Sequence, residues 1–328
     1  MGAGFEHGAV YVPRCSRDGK AVAAPDEDAF TMAVTVLEAL ATGSRASGAS
    51  RVHLVGAFPS VVDWALPAYV NAPLEVSKFP GDARGLGSAV REATDAAGSP
   101  STLVLTVDPN ALQGGLAVAL RFGPDPGPRA PEWELPTGAE GAAALACASL
   151  AKLGVFADRS PGEVPPPASW TPDRLASFTS VGLSQVSEGA YVPRPRYLEN
   201  LPSRWRLEGD QCARCERVTF PRRARCRYCG QAGRLSPVNL PRDGARVVAA
   251  TIIGPGSQPT EFDPQVEALG GYGVVLAEFA PGVRLTLQVT DAGPGQVRIG
   301  DRIGTRLRRL YPMEGEWRYG RKAVPMPT

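Results

Sequence analysis

The stretch QCARCERVTFPRRARCRYCG, Gln211 to Gly230, holds two Cys-x-x-Cys pairs separated by ten residues. Each pair forms a knuckle that brings two thiolates to one ion from one side. Two knuckles together give a tetrahedral shell of four sulfurs, the geometry of structural zinc. Cys212, Cys215, Cys226 and Cys229 are therefore expected as the metal ligands. Thiolates select zinc or iron over hard cations, and a single iron fits the same shell. With four protein ligands no coordination position is left for a substrate, so the ion is expected to be structural. Its binding stabilises so small a ribbon by on the order of 10 kcal/mol. Gly230 suits the left-handed turn after the second knuckle, whereas Glu216 follows the first.

Nine arginines lie between Arg204 and Arg234, against Glu208, Asp210 and Glu216. A solvated surface is the plain reading of this run. Two binding readings compete with it. Arg222, Arg223 and Arg225 could grip the phosphates of a ligand such as coenzyme A, since guanidinium pairs bidentately with phosphate. The run could also follow a nucleic acid, as zinc ribbons and small barrels do. Nucleic acid is disfavoured, because the following strands lack an aromatic-rich stacking surface; Tyr272, Trp317 and Tyr319 are the obvious rings there.

The chain has 328 residues, 43% hydrophobic and 21% charged, enough for two cored domains. A net charge of +2 implies no polyanion partner for the whole protein. No window reads as a transmembrane helix and no secretory signal is expected at the start. Four cysteines at metal spacing suit a reducing cytoplasm better than an oxidising exterior. There are only two histidines, His7 and His53. Mechanisms that need a histidine base later in the chain are thereby excluded.

Strands and helices alternate in residues 1–125, which predicts an α/β layered unit. Gly8–Val12, Arg51–Phe58, Ser101–Asp108 and Gly115–Gly123 read as strands, and LEVSKF (Leu74–Phe79) as a short one. A helix is expected from Pro25 to Gly43, opened by an acidic trio and apolar on a wide stripe. Further helices are expected over Val61–Val70, despite Pro67, and over Ala83–Gly98. Residues 126–196 form a Pro-rich connection around an Ala-rich stretch, EGAAALACASLAKLG, of helical character. GAVYVPR (Gly8–Arg14) is echoed by GAYVPRPRY (Gly189–Tyr197), a match short enough for chance. Residues 197–238 are expected as the ribbon. Residues 239–328 read as an all-β barrel of the OB type, from the β-branched runs Ala245–Gly254, Tyr272–Ala280, Val283–Asp291 and Arg302–Tyr311.

The segment from Tyr197 onward resembles the zinc-ribbon/OB-fold proteins that accompany acyl-CoA thiolases. The shared points are Tyr197 and Glu199, the two knuckles with Phe220–Pro221 between them, and VRIGD (Val297–Asp301) near the end of the barrel. The resemblance implies an accessory domain. Such a domain docks on a thiolase-like enzyme, or bridges a thiolase and a hydroxymethylglutaryl-CoA synthase, and helps hold the acyl-CoA thioester.

The first part resembles half of a thiolase-fold enzyme, nearest the archaeal-type hydroxymethylglutaryl-CoA synthases, through GAVYVPR, KAVAAPDEDAFTMAV (Lys20–Val34) and GDARGLGSAVREA (Gly81–Ala93). That fold acylates a cysteine at the start of a buried helix and uses a histidine from its second half. Here the matching helix, Ala83–Gly98, has no cysteine and no histidine follows His53. No catalytic residue is assigned on this reading. Cys15 and Cys147 read as small buried hydrophobes, and His53 as a satisfied core residue. A condensing enzyme working through Cys147 is the catalytic alternative. A lone half of a two-half fold would expose an apolar patch, which predicts self-association or docking on an enzyme subunit.

The expected whole is an α/β thiolase-like half domain followed by a zinc ribbon and an all-β OB-fold barrel.

Overall fold

A computed structural model describes residues 4–11, 13, 15–17, 20–24, 26–41, 49–95, 101–108, 116–123, 143, 146, 193–313 and 316–326. The chain divides into two units, Met1–Pro165 and Pro166–Thr328. The expected connection over 126–196 falls almost entirely outside the described residues. So does the Ala-rich stretch, apart from Ala143 and Ala146, which are helical and buried. Cys147 is among the residues not described.

The N-terminal unit is built on a five-stranded mixed sheet in the order β1-β7-β6-β4-β5. Its strands are β1 (Gly4–Tyr11), β4 (Arg51–Val55), β5 (Glu75–Phe79), β6 (Thr102–Asp108) and β7 (Leu116–Gly123). A small hairpin, β2 (Cys15–Arg17) with β3 (Lys20–Val22), stands apart. β4 runs parallel to β5 and β6, while β7 is antiparallel to β6 and β1. Helix α1 (Ala29–Ala41) packs on β1, β6 and β7. Helix α3 (Ala83–Asp95) packs on β4, β5 and β6, and α2 (Val62–Val70) meets α1. Val104, Val118, Leu120 and Phe122 share a cluster with Leu86, Ala89 and Val90 of α3. The alternate residues Leu103, Leu105, Ala117 and Ala119 are buried as well. Both faces of the sheet are therefore covered, which is why these strands read as unbroken apolar runs.

The first helix starts at Ala29 rather than near Pro25. Asp28 caps it: the Thr31 N–H donates to Asp28 Oδ1 and the Asp28 N–H to Thr31 Oγ1, each at 2.9 Å. This reciprocal cap leaves the preceding acids outside the helix. Glu27 is buried instead, accepting from the Ala24 N–H at 2.7 Å and from the Tyr11 hydroxyl. The wide stripe has its expected consequence: Phe30, Met32, Ala33, Val34, Val36 and Leu37 are all buried, so α1 is enclosed around its circumference. Buried Glu38 accepts from the Tyr69 hydroxyl of α2. Pro67 lies inside α2 without ending it, and Asn71 terminates that helix in the left-handed region.

Helix α3 starts under tight constraint. The Gly85 N–H donates to Asp82 Oδ1 at 2.7 Å, and a Cβ at Gly85 would lie 1.9 Å from the Pro80 carbonyl oxygen. His53 of β4 points at this helix. Its Nδ1 donates to the Ala89 carbonyl at 3.0 Å, and its ring tilts against Phe79 with centroids 5.1 Å apart. It is a hydrogen-bonded core residue.

In the second unit two short helices, α4 (Arg194–Glu199) and α5 (Leu201–Arg206), lead into the ribbon sheet. The PRPRY part of the echo motif opens α4; the rest of that copy lies outside the described residues. The ribbon sheet has the order β10-β8-β9, with β8 (Glu208–Cys212), β9 (Val218–Thr219) and β10 (Leu235–Asn239).

The barrel sheet runs β13-β12-β11-β14-β15. Its strands are β11 (Asp243–Ile253), β12 (Tyr272–Ala280), β13 (Val283–Gln288), β14 (Arg302–Met313) and β15 (Glu316–Pro325). Helix α6 (Asp263–Leu269) sits between β11 and β12. A parallel bridge from Val289 to Ala323, with the Thr290 N–H donating to the Ala323 carbonyl at 2.8 Å, nearly closes the sheet into a barrel. Its interior holds Val247, Val275, Ala277, Leu285, Leu287 and Ile303 among others.

The helices before the ribbon are tied to the last strand by a buried aromatic cluster. The Tyr197 hydroxyl donates to the Tyr319 carbonyl at 3.0 Å and accepts from the Tyr319 N–H at 2.9 Å. Trp205 Nε1 reaches both the Tyr197 oxygen and the Tyr319 carbonyl. Burial pushes the Tyr197 phenol up to about 12, so it remains a neutral donor.

Two stability outcomes follow from these contacts. Gly85→Ala should destabilise the N-terminal unit by about 1–3 kcal/mol, because the helix start must move away from Pro80. Tyr197→Phe leaves the buried Tyr319 N–H without its acceptor and should cost the second unit about 1–3 kcal/mol. Urea unfolding of each purified variant measures both, and an unchanged midpoint contradicts the corresponding contact.

Candidate metal centre

The four expected ligands converge. The sulfurs of Cys212, Cys215, Cys226 and Cys229 all lie within 4.8 Å of one another. Cys212 and Cys229 are 3.7 Å apart, and Cys215 and Cys226 are 3.6 Å apart. Tetrahedral zinc with bonds of about 2.3 Å requires sulfur separations of about 3.8 Å, so the cage fits such an ion. All four cysteines are free thiols.

The two knuckles have the same backbone construction. The Glu216 N–H donates to the Cys212 carbonyl at 2.8 Å, and the Gly230 N–H to the Cys226 carbonyl at 3.0 Å. Glu216 adopts φ 58° and Gly230 φ 71°. The first knuckle therefore holds a side-chain-bearing residue in the conformation that glycine occupies in the second. The Cys212 N–H donates to the Arg217 carbonyl and the Cys226 N–H to the Gln231 carbonyl, closing each turn.

Backbone N–H groups of Cys229 and Tyr228 face the Cys226 sulfur and draw its thiol down to about 6. The Arg217 N–H pulls on Cys215 in the same sense, but desolvation and the three neighbouring sulfurs outweigh it and raise that thiol to about 11. Without a cation the four sulfurs cannot all ionise together. A divalent ion removes that conflict and displaces the protons that remain.

The arginines around the cage fall into two groups. Arg222 is engaged: its Nε bonds Asp210 at 3.0 Å and its Nη1 bonds Glu208. Buried Asp210 also accepts from the Arg223 N–H at 3.1 Å. Of the three arginines expected at a phosphate, Arg222 thus already meets two carboxylates. The side chains of Arg223 and Arg225 are exposed and make no ion pair among the described residues. Arg217 and Arg227 lie over the Tyr228 ring at 5.0 and 5.5 Å. The Tyr228 hydroxyl donates to the Gly282 carbonyl at the β12–β13 turn at 3.2 Å. The ribbon is thereby fastened to the barrel, a contact the sequence pattern did not signal.

A further concavity of about 530 Å³ lies in the second unit, with Arg204, Phe220, Phe262, Leu285, Leu287 and Arg321 in its wall. No helix among the described residues is long and apolar enough to cross a membrane.

Removing the metal should unfold the two knuckles, since between Ala213 and Arg234 only Thr219 and Cys226 are buried. Zinc release by a chelator should be accompanied by loss of ribbon chemical-shift dispersion. Metal affinity should rise with pH up to about 11, because the ion must displace the Cys215 proton, and fall more steeply below about 6, where Cys226 is protonated as well. Competition with a chromophoric chelator between pH 5 and pH 9 measures this; a pH-independent affinity contradicts tetrathiolate ligation.

Comparison with known proteins agrees with the cage. A family model described as "ChsH2, rubredoxin-like zinc ribbon domain" matches residues 203–233. A DUF35 domain-containing scaffold protein of Methanothermobacter thermautotrophicus is 30% identical over 121 residues, which is 37% of this chain and 85% of that protein. A second such scaffold protein, from Methanocaldococcus jannaschii, is 27% identical over 133 residues, 40% of this chain and 89% of that one. Among solved structures, the Ltp2-ChsH2(DUF35) aldolase aligns at 21% identity over 37% of this chain and 84% of that chain, with a TM-score of 0.29. A DUF35 family protein of Sulfolobus solfataricus aligns at 18% identity over 36% and 75%, with a TM-score of 0.24. The four-cysteine ribbon, the barrel beside it and the extent of the first relative's match make this chain a member of the DUF35 domain-containing family.

Proposed function

We propose that this protein is a non-catalytic accessory subunit that docks on a thiolase-like or hydroxymethylglutaryl-CoA synthase-like enzyme and helps hold its acyl-CoA. The observation that carries this reading is the relationship to two proteins described as scaffold proteins, on a ribbon whose metal has no open coordination position. The zinc acts only as a staple. It fixes the two knuckles and the surface they present.

In this reading the N-terminal unit is a degenerate thiolase-like half. The mixed sheet covered on both faces and the enclosed helix α1 support it, together with the sequence stretches that resemble that fold. Helix α3 offers no cysteine, and no histidine follows His53. An acyl-enzyme route would lack both nucleophile and base. Arg223 and Arg225 are the side chains assigned to coenzyme A phosphate, because Arg222 is held by Glu208 and Asp210. The four free thiols suit a reducing compartment, and we place the protein in the cytoplasm.

Co-expression with the thiolase-like enzyme of the same cell should give a complex that survives size-exclusion chromatography. Acetyl-CoA titrated into that complex should bind, and Arg223→Ala with Arg225→Ala should weaken binding about ten-fold, the loss of about 1.4 kcal/mol. A chain that stays alone and takes up no acetyl-CoA overturns the proposal. Condensing activity in the isolated chain that is abolished by alkylating Cys147 replaces it with an enzyme.

A further inference from the structure

Cross-strand register places four charged residues in one row on the outside of the barrel. Arg284 of β13 lies opposite Glu278 of β12, Glu278 opposite Arg246 of β11, and Arg246 opposite Arg302 of β14. Arg284, Arg246 and Arg302 are exposed. Glu278 bonds Arg284, Nε to Oε1 at 3.3 Å. Arg246 and Arg302 therefore face each other as like charges, and among the described residues neither makes an ion pair. Like charges directly opposite on a sheet destabilise it, so the fold retains an unfavourable pair that an external anion would relieve.

Beside this row stands the VRIGD turn. The Asp301 N–H donates to the Arg298 carbonyl at 3.2 Å, and Gly300 at φ 96° supplies the left-handed position of a type II turn. The Asp301 carboxylate accepts from the Arg298 N–H at 2.8 Å. The Gly300 N–H donates to the Val247 carbonyl at 2.9 Å, fixing the turn to β11 next to Arg246. At its apex Ile299 is 69% exposed, the highest value among the exposed large hydrophobic side chains of the described residues. A turn held at three backbone positions only to lift an isoleucine into water has no account within the chain. At the other end, the Tyr228–Gly282 hydrogen bond joins the row to the ribbon with Arg217 and Arg227.

We infer that this continuous face, from the ribbon across the Arg284–Arg302 row to Ile299, is a docking surface for an acidic protein surface that contains an apolar socket. The cations meet carboxylates and Ile299 fills the socket. A protein is favoured over a nucleic acid because base stacking needs a free ring. Among the described residues the exposed aromatic is Tyr228, and guanidinium groups lie over its ring. As an interface with the enzyme subunit, this inference rests on the accessory role proposed above.

Two measurements test it. First, the zinc-loaded full chain is titrated with poly-L-glutamate and with single-stranded oligothymidylate. Poly-L-glutamate should bind, weaken with salt, and lose at least about ten-fold in affinity on Arg246→Glu with Arg302→Glu. The control Arg91→Glu on α3 should leave it unchanged. No binding at low salt, equal binding by the double variant, or tighter binding of the oligonucleotide overturns the inference. Second, Ile299→Asp should raise the Kd for the co-expressed enzyme subunit at least about ten-fold. A complex that forms equally well with Ile299→Asp and the arginine variants overturns this face but leaves the accessory role standing. Failure of the wild-type chain to form any complex removes the accessory role itself.

Discussion

Four thiolates around one ion hold together a segment that has almost nothing else inside it. Between Ala213 and Arg234 only Thr219 and Cys226 are buried. A segment with so little apolar interior cannot offset the conformational entropy of ordering its loops. The cage therefore has to form for the two knuckle turns to exist. Glu216 shows how strong the requirement is. It accepts a left-handed conformation that disfavours side chains, because the first knuckle needs the same turn as the second. What the metal fixes, the Tyr228 and Tyr197–Trp205–Tyr319 contacts pass on. They attach the ribbon and its lead helices to the barrel with directional hydrogen bonds, beside the apolar cluster in which Leu207, Val218 and Phe220 meet the barrel core.

Much of this was legible in the sequence because period and spacing carry it. Arg51–Val55, Thr102–Asp108 and Leu116–Gly123 are apolar runs bounded by turn residues, and each is a strand covered on both faces. Tyr272–Ala280 and Val283–Gln288 alternate, and each is a barrel strand. The Cys spacing located the cage to the residue. What escaped has a physical reason in each case. Strand β15, EWRYGRKAVP, carries three cations in ten residues and so looks like a loop. Yet Arg318, Arg321 and Lys322 are buried; Arg321 Nε donates to the Trp205 carbonyl and Arg318 lies over the Tyr197 ring. Long cationic side chains can cover apolar surface while their heads find partners, and hydropathy alone cannot register that. Trp205 is masked in a similar way: it sits among arginines in sequence but is fully buried in the fold. The start of α1 is ambiguous in sequence, because an acidic trio marks a helix end without saying which acid is the cap. Asp28 takes that place and Glu27 serves a turn.

The N-terminal unit has the enclosed helix and doubly covered sheet of a substantial α/β core, and its helix α3 carries no cysteine. His53, which could have suggested chemistry, is anchored by the Ala89 carbonyl and packed on Phe79. Its environment explains its presence without a reaction. In the accessory role proposed above, the surfaces of this unit matter more than its cavities. That agrees with a second unit whose metal is sealed by four ligands.

Charge at the ribbon sharpens which surfaces those are. Nine arginines against three acidic residues leave a surplus of six positive charges between Arg204 and Arg234. A zinc ion bound by four thiolates carries two formal negative charges, so part of that surplus balances the centre itself. N–H groups and nearby cations are the ordinary means of stabilising such a centre. The acids are not spread evenly over the rest. Glu208 and Asp210 both engage Arg222, which leaves Arg214, Arg217, Arg223, Arg225, Arg227 and Arg234 exposed without an ion pair among the described residues. Had the arginines served only the metal, the two acids would have little reason to converge on one of them. Their convergence makes Arg222 a structural strut between β8 and the inter-knuckle loop. In the docking role proposed above, the remaining cations stand on the frame held by that strut to meet a partner's charges, and the Arg246–Arg302 pair continues them on the barrel.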